Sequence, residues 1–383
     1  MSASGVVAAQ LRVGTAPSSL VLNAIRVGGP SVRDQIAART GLSVATVNRQ
    51  VVALAAAGLV QERPDLHDSR GVGRPKVPIT LDRDQFCVAG MHVGARRTTL
   101  VIADLGGRTL YSHAIATQDL AGVSAEAAVE RLCGQLAELA ARFSGRRLLW
   151  AGAALGGAVD AETGVADHPI LGWRDQKLGP NLHAALGVPV TVSEHVQAMA
   201  AAELLLGGEV EPHGAALFFY ARETVGMAMI IHDQVHQPTR GAGSIAGLLV
   251  VPGPLSEAPV APLQSVVGSS ALKAAAERLG TADDDRALVD ARAAALGQAV
   301  ASMRDVINPD SVIVAGQAFT DHPRGLAPVQ AAFDAATTTR EPMEITPTRF
   351  GLHVTDAAPI AVALAAVYAD PLTVVTGAGG ETR

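Results

Sequence analysis

Residues 42–62 decide how the N-terminal part of the chain folds, and they read LSVATVNRQVVALAAAGLVQE. Apolar side chains recur there at spacings of 3, 4 and 3 residues, at Val44, Val47, Val51 and Leu54. This period predicts a helix with one apolar face, capped by Ser43 and ended by Gly58. Small and polar side chains remain on the outside, as a helix in a DNA major groove requires, and they are Ala45, Thr46, Asn48 and Arg49.

Two shorter helical patterns precede this helix. The stretch LVLNAIRVGG, at residues 20–29, follows Ser18 and Ser19, either of which can cap a first helix. Its predicted apolar face consists of Leu20, Leu22, Ile25 and Val27. The stretch VRDQIAART, at residues 32–40, follows Ser31, and Asp34 completes an arrangement similar to a capping box. Gly41 closes this second helix and leaves a tight turn before the third, so the spacing predicts a helix-turn-helix.

A β-hairpin is predicted after the third helix. LVQERP at residues 59–64 and RPKVPITL at residues 74–81 read as strands, separated by the polar loop DLHDSRGVG. The tip, at residues 70–76, carries three cations among glycines that permit close backbone approach. Such a wing suits contact with phosphates or with a minor groove.

Charge is distributed unevenly along the 383 residues, whose formal net charge is −6. Residues 1–84 carry ten Arg and Lys against six Asp and Glu, a net charge of +4, and the other 299 residues carry 20 against 30, a net charge of −10. A basic head on an acidic body predicts separate roles. The 49 % of hydrophobic residues predicts a globular protein. The two cysteines, and the lack of a long apolar run or a secretory leader, favour the reducing cytoplasm. We expect the protein to associate with the nucleoid when it is bound to DNA.

The run at residues 42–62, followed by GVGRPKVPITLD at residues 71–82, resembles the winged head of transcriptional regulators of the ROK family (repressors, open reading frames and sugar kinases). The resemblance implies that Thr46, Asn48 and Arg49 face bases. It assigns further DNA contacts, mainly to phosphates, to Arg33, Ser43, Arg70, Gly73, Arg74 and Lys76. The implied partner is double-stranded DNA with an inverted-repeat operator, read by a homodimer or a higher homo-oligomer.

The rest of the chain has α/β patterning in two similar rounds. Three strand patterns in FCVAGMHVG, TTLVIADL and RTLYSHAIA precede a helix near residues 125–142 and a strand, LLWAGAALG. A second meander in AALFFYA, VGMAMIIHDQ and a short strand near Val235 precedes helices near 269–279 and 283–306 and the strand SVIVAG. This duplication resembles the two-lobed actin-like, hexokinase-like ATPase fold of ROK proteins. We expect a winged helix-turn-helix domain at 1–84, a first lobe at 85–200, and a second lobe at 201–383 whose C-terminal helix packs back on the first.

The catalytic motifs of ROK kinases are altered here. The first phosphate loop, Asp-x-Gly-x-Thr, corresponds to residues 92–96, which begin with His92. The catalytic base corresponds to His195, beside Glu194. The second phosphate loop corresponds to residues 222–226, where two of three glycines are lost and Glu223 adds negative charge. Some ROK proteins bind zinc in a loop that begins with a histidine. The corresponding loop here contains no Cys or His, and Gly247 stands in place of that histidine. We therefore expect no metal and no cofactor.

These changes predict a regulator without kinase activity, and we expect no enzyme activity. A sugar or sugar-derived effector would bind a cleft formed by Gly157, Trp173, Glu194, His195 and Ser244, although Ser244 and Ile170 replace the glutamate and asparagine expected of a sugar site. Trp173 is either a stacking platform for a sugar or a core residue, and Glu194 and His195 are either cleft residues or cap a helix. Two alternatives stay open: an active sugar kinase using His195 or Glu194 as base, and a protein-interaction module that has lost DNA binding.

Overall fold

The computed structural model describes residues 5–66, 77–120, 122–208, 214–238 and 244–377. The chain divides into two compact units, Met1–Val210 with Thr355–Arg383, and Glu211–Val354. The first unit holds the N-terminal head and a five-stranded sheet, and the second unit holds another five-stranded sheet. The predicted α/β class is confirmed.

The head consists of three helices and an antiparallel strand pair in which Val60 faces Leu81 and Glu62 faces Ile79. Its elements are α1 (Pro17–Gly28), α2 (Arg33–Thr40), α3 (Val44–Ala56), β1 (Val60–Glu62) and β2 (Ile79–Leu81). Its core is formed by fully buried aliphatic side chains from all three helices and both strands, including Leu22, Ile25, Ile36, Val47, Val51, Leu54 and Ile79. The helix-turn-helix followed by paired strands is therefore confirmed, while the predicted wing tip at 70–76 lies outside the described residues.

Two predicted helix ends in the head are confirmed. The Ser43 hydroxyl accepts a hydrogen bond from the Thr46 amide at 3.2 Å and caps α3. Gly41 ends α2 with a φ of 68°, a left-handed conformation that glycine adopts without steric cost. Local hydrogen bonding is enough to determine both ends.

The predicted cap of α1 is wrong, because a tertiary contact takes the hydroxyl group. The helix begins at Pro17 after Ala16, without a side-chain cap, and both Ser18 and Ser19 are buried. The Ser19 hydroxyl donates to the Ala369 carbonyl at 2.7 Å, near the C-terminus of the same unit. The buried face of the helix is also rotated from the predicted one and consists of Ser18, Ser19, Val21, Leu22, Ala24 and Ile25.

Ser31 does not cap α2 either. Its backbone pairs with Ile79 in both directions, at 3.1 and 2.9 Å, which joins the turn before α2 to the strand pair. The Val32 amide instead donates to the side-chain oxygen of Gln35 at 3.0 Å. In α3, Val44 lies 49 % exposed, so the predicted apolar face begins one turn later, at Val47.

The first sheet has the strand order β10-β6-β3-β4-β5, with β10, β6 and β3 parallel and β3, β4 and β5 antiparallel. Its strands and the elements between them are β3 (Phe86–Val93), β4 (Arg97–Asp104), β5 (Thr109–Ala116), α4 (Ala125–Ala141), β6 (Arg147–Leu155), β7 (Ala158–Val159), β8 (Ala166–His168), β9 (Trp173–Gln176), α5 (Leu178–Leu186), β10 (Val190–Glu194) and α6 (His195–Leu206). Strands β7 to β9 form a small separate sheet. Apolar side chains of the sheet pack against α4 and α5 in one continuous core.

The N-terminal residues extend this sheet at its β10 edge. Val6 forms a parallel bridge with Val190, in which the Val7 amide donates to the Val190 carbonyl at 2.8 Å and the Val190 amide donates to the Gly5 carbonyl at 3.0 Å. Val6 is 3 % exposed. The chain is therefore anchored to the first sheet before it enters the head.

The second sheet repeats the topology of the first, with the order β13-β12-β11-β16-β17, a three-stranded meander beside two parallel strands. The elements of this unit are β11 (Ala215–Ala221), β12 (Val225–Ile231), β13 (Gln234–Val235), β14 (Leu249–Val250), β15 (Ala261–Pro262), α7 (Gln264–Val267), α8 (Ser269–Leu279), α9 (Arg286–Ile307), β16 (Ser311–Ala315), α10 (Gln317–Thr320), α11 (Ala327–Ala336) and β17 (Ile345–Pro347). The predicted duplication is confirmed.

Two C-terminal helices complete the first unit, α12 (Val354–Ala369) and α13 (Pro371–Gly377). Gly90 and Gly152 are paired across β3 and β6, and α12 approaches the sheet at these two positions. The segment Gly351–Ala369 is apolar and long enough to cross a membrane, but 72 % of its most apolar stretch is buried inside the protein, as in a core helix.

Tyr368 of α12 links the head to the first sheet. Its hydroxyl donates to the Leu105 carbonyl at 2.7 Å, and the Arg26 guanidinium of α1 lies 4.9 Å from its ring centroid. The predicted lobe boundary at residue 200 falls inside α6, which continues to Leu206 in the first unit. The division at 1–84, 85–200 and 201–383 stays a prediction.

Candidate nucleic-acid interface and histidine site

Helix α3 presents a polar surface beside its N-terminus. Asn48 and Arg49 are exposed, and Thr46 is half-buried, with its hydroxyl 3.0 Å from the hydroxyl of Ser43. Val44, which is half exposed, adds an apolar contact surface on the first turn. Amide, guanidinium and methyl groups side by side are the groups that read base edges in a major groove.

Arg33 connects this surface to the strand pair. Its Nε donates to Asn48 Oδ1 at 2.9 Å, and its Nη2 donates to Glu62 Oε1 at 2.6 Å. The three side chains come from α2, α3 and β1, so the network joins all the elements around the candidate interface. The sequence predicts a DNA contact for Arg33 and a base contact for Asn48, and the structure gives both side chains partners within the head.

The other predicted contacts from the wing cannot be placed. Arg70, Gly73, Arg74 and Lys76 lie outside the described residues, and their proposed role stays a prediction. The strands that carry the wing are described, and β1 ends at Glu62, close to Arg33 and α3.

Three buried histidines, which we call the histidine site, lie at the ends of strands β3, β8 and β10: His92, His168 and His195. The rings of His92 and His195 stack with 5.8 Å between centroids and 10° between planes. A Cβ on Gly156 would lie 3.3 Å from His195 Cε1 and 3.5 Å from His168 Nε2, so Gly156 lies between these two rings. Both positions where ROK kinases carry an acid, in the first phosphate loop and at the base, are therefore occupied by imidazoles in contact with each other.

Burial lowers the pKa of two of these rings, His168 and His195, and so favours their neutral forms. His168 is 1 % exposed, and desolvation, reinforced by the neighbouring His195, lowers its pKa to about 4. Desolvation also lowers the pKa of His195, although the Glu194 carboxylate, 3.5 Å away, opposes this shift. No group of three or more His, Cys, Asp or Glu among the described residues is placed to hold a metal ion.

Glu194 has a structural role in this site. Its Oε2 accepts hydrogen bonds from the amides of Val196 and Gln197, at 2.9 and 3.0 Å, and so caps α6. A carboxylate held in this way also interacts favourably with the helix dipole. Of the two interpretations of Glu194, the helix cap is observed.

The other predicted cleft residues are in different surroundings. Trp173 is 4 % exposed and packs edge-on against His168 at 6.3 Å, so it is a core residue in this structure. A Cβ on Gly157 would lie 2.0 Å from the Asp167 carbonyl oxygen, which shows how closely two backbone segments approach beside the site. Gly157, Trp173, Glu194 and His195 belong to the first unit and Ser244 belongs to the second.

The loops that correspond to the kinase phosphate loops are closed by hydrogen bonds within the protein. In the first, the Gly94 amide donates to the Arg97 carbonyl at 3.2 Å. In the second, Gln264 accepts from the Val225 amide at 2.8 Å and donates to the Glu223 carbonyl at 2.6 Å. The Val225 amide is therefore not available to a nucleotide phosphate.

Sequence reasoning missed four residues at these sites. Glu62 and Gln264 are far in the sequence from the side chains and amides that they contact, so no local pattern signals them. Val44 was assigned to the apolar face because its spacing fits the helix period. His168 begins the segment HPILGW at residues 168–173, and its proximity to His195 depends on the pairing of distant strands.

Comparison with known proteins supports the winged head and the kinase-like body. A ROK family model matches residues 88–251, and a MarR family model matches residues 15–71. The chain is 42 % identical over 398 residues to a transcriptional regulator of Mycobacterium tuberculosis, an alignment that covers 96 % of this chain and 90 % of the regulator. It is 23 % identical over 237 residues to the xylose repressor of Bacillus subtilis, which covers 61 % of this chain and 59 % of the repressor.

A solved structure gives the same result for the fold. The crystal structure of a ROK family transcriptional regulator, a homologue of the E. coli MLC protein, superposes with a TM-score of 0.74 at 20 % identity, covering 94 % of this chain and 98 % of that one. A winged-helix head joined to a duplicated sugar-kinase-like body defines a class of transcriptional regulators. The chain belongs to the ROK family, as one of these regulators.

Proposed function

We propose that the protein represses transcription by binding operator DNA with helix α3 in the major groove. The observation that carries this proposal is the polar surface of α3 on a winged head, where Asn48 and Arg49 are exposed and Thr46 is half-buried. The similarity to the xylose repressor supports the direction of regulation. Two heads related by a two-fold axis would read an inverted repeat, with the wing cations on phosphates, and the protein would act in the cytoplasm on nucleoid DNA.

In this proposal the kinase-like body has a regulatory role and does not transfer phosphate to a sugar. Phosphoryl transfer requires amides that cradle phosphates and a carboxylate base on the sugar hydroxyl. Here the Val225 amide is occupied by Gln264, His195 replaces the base, and Glu194 caps a helix. Gly157, Glu194 and His195 stay our proposed contacts for a sugar or sugar-derived effector in the first unit, and the effector contacts of Trp173 and Ser244 stay predictions from the sequence.

Binding to the DNA upstream of its own gene tests the proposal. Fluorescence anisotropy with labelled fragments of that region should show saturable binding that competitor DNA of random sequence does not displace at equal concentration. Binding should weaken as salt rises, because cations on the protein replace counterions on the phosphates. If no fragment binds even at low salt, the protein does not act through DNA.

Arg49→Ala is expected to weaken operator binding by about 1 to 3 kcal/mol and to relax sequence preference at one base pair, because the exposed guanidinium loses its base contact. Anisotropy titrations on the operator and on single-base variants of it measure both effects. Arg142→Ala removes a similarly exposed guanidinium at the end of α4 and serves as the control, with unchanged binding. Equal affinity of the Arg49→Ala protein and the native protein would show that α3 is not the recognition helix.

We expect no ATP-dependent phosphorylation of hexoses or N-acetylhexosamines. A coupled ADP-release assay over a panel of these sugars, run beside an active ROK sugar kinase, should give the rate of the enzyme-free blank. Turnover that His195→Ala abolishes would contradict this expectation and favour the kinase alternative.

A further inference from the structure

The network of Arg33, Asn48 and Glu62 determines which atoms Asn48 presents to the outside. The Arg33 guanidinium only donates hydrogen bonds, so the atom of Asn48 that faces it at 2.9 Å is the amide oxygen. The amide nitrogen of Asn48 then points away from Arg33, and it has no hydrogen-bond partner among the residues that the structure describes. The exposed side chain thus offers its two N–H donors, while Arg33 occupies one of the two acceptor sites on its oxygen and holds that oxygen towards α2.

Glu62 keeps Arg33 in the position that orients Asn48. Its carboxylate accepts from Arg33 Nη2 at 2.6 Å, a short, charge-assisted hydrogen bond. Glu62 lies on β1 and does not belong to the recognition helix, so it reaches Asn48 only through Arg33. The pair also brings the positive charge of Arg33 together with a negative one, which makes Arg33 a weaker phosphate ligand than a free arginine.

The orientation of an asparagine amide selects among bases in the major groove. With both ends available, asparagine pairs with adenine by donating to N7 and accepting from the N6 amino group. An asparagine whose oxygen is held by an arginine presents its N–H donors to the bases, and these match guanine, with acceptors N7 and O6, or thymine, with acceptor O4. Cytosine presents an amino donor at this edge and would oppose the same group.

We propose that Glu62, acting through Arg33, is a specificity-determining positioning residue that makes Asn48 prefer guanine or thymine over adenine and cytosine. The proposal rests on the DNA binding proposed above and adds the base class that one position of the operator must contain. It also assigns Arg33 to the orientation of Asn48 in place of a phosphate contact.

Selection of bound duplexes from an operator library with randomised half-sites tests the proposal. The native protein should favour guanine or thymine by about tenfold over adenine at one position of each half-site, the preference that Asn48→Ala removes. Arg33→Met releases the amide oxygen of Asn48 and should shift that same position towards adenine by a similar factor, with Glu62→Ala acting in the same direction. Asp65→Asn removes another exposed acidic partner of an arginine in the head and should leave the position unchanged.

Two base-preference results, one from the native protein and one from Arg33→Met, would overturn the proposal. One is a native preference for adenine at the position that depends on Asn48. The other is an Arg33→Met protein that binds all sequences more weakly by the same factor, with a salt dependence reduced by about one counterion, because that is the behaviour of a phosphate contact. Failure of the native protein to bind any duplex would overturn the proposed function itself, and a bound library with unchanged preferences in both variants would overturn this inference alone.

Discussion

Gly152→Ala is expected to lower the free energy of unfolding of the first unit by about 3 kcal/mol. The added Cβ would lie 2.3 Å from the carbonyl oxygen of Pro359 and 2.6 Å from the amide nitrogen of Ala363, both backbone atoms of α12. No rotamer change can relieve these contacts, so the helix must move away from the sheet and lose packing along β3 and β6. Urea unfolding followed by tryptophan fluorescence measures this unit alone, because Trp150 and Trp173 are the only tryptophans and both lie in it.

Gly134→Ala provides the matched control, because it is the same chemical change and is expected to have the opposite effect on the free energy of unfolding. Gly134 is exposed inside α4, and a Cβ there would meet no atom within 4 Å. Alanine should therefore stabilise the helix, by about 0.5 to 1 kcal/mol, since glycine loses more conformational freedom on folding. If both substitutions shifted stability equally, the close approach of α12 to Gly152 would not exist.

The first unit is expected to lose about 3 kcal/mol of stability between pH 6.5 and pH 4 through His168 alone. The pKa of His168 is about 4 in the folded protein, against 6.5 for a solvated histidine. The unfolded chain therefore binds a proton over this range that the folded chain does not, and stability falls as the pH falls. Protonation would also place a hydrogen on Nδ1, which accepts from the Leu171 amide at 3.4 Å.

Urea titrations at several pH values between 4 and 7 measure this effect. His168→Asn keeps a side-chain acceptor for the Leu171 amide but does not titrate, so its stability should depend less steeply on pH. In the His168→Asn protein, stability should still depend on pH with a smaller slope, because burial also lowers the pKa of His195. His113→Asn on β5 is the control, since that ring is exposed in the folded and unfolded chain alike. An unchanged slope for His168→Asn would show that His168 is not a buried neutral ring.

Local patterns were reliable where the physical cause was itself local. The spacing of Val47, Val51 and Leu54 predicted α3, and Ser43 and Gly41 marked its start and the end of α2, as observed. The altered kinase loops could also be recognised, because His92 and Glu223 stand inside short motifs. The same reasoning failed for Ser19 and Ser31, because their hydroxyl groups bond elsewhere: that of Ser19 donates to the Ala369 carbonyl, and that of Ser31 donates to the Gly29 carbonyl and accepts from Arg39.

The sequence by itself determined the basic winged head, the duplicated meander and helix pattern, and the loss of the kinase motifs, because each depends on side chains within one helix, strand or loop. Only the tertiary structure decided that Arg33 binds Asn48 and Glu62, that Gln264 closes the second loop, and that three histidines share one buried site. These contacts join residues far apart in the chain. Their geometry depends on how strands pair and helices pack, which periodicity along one segment does not encode.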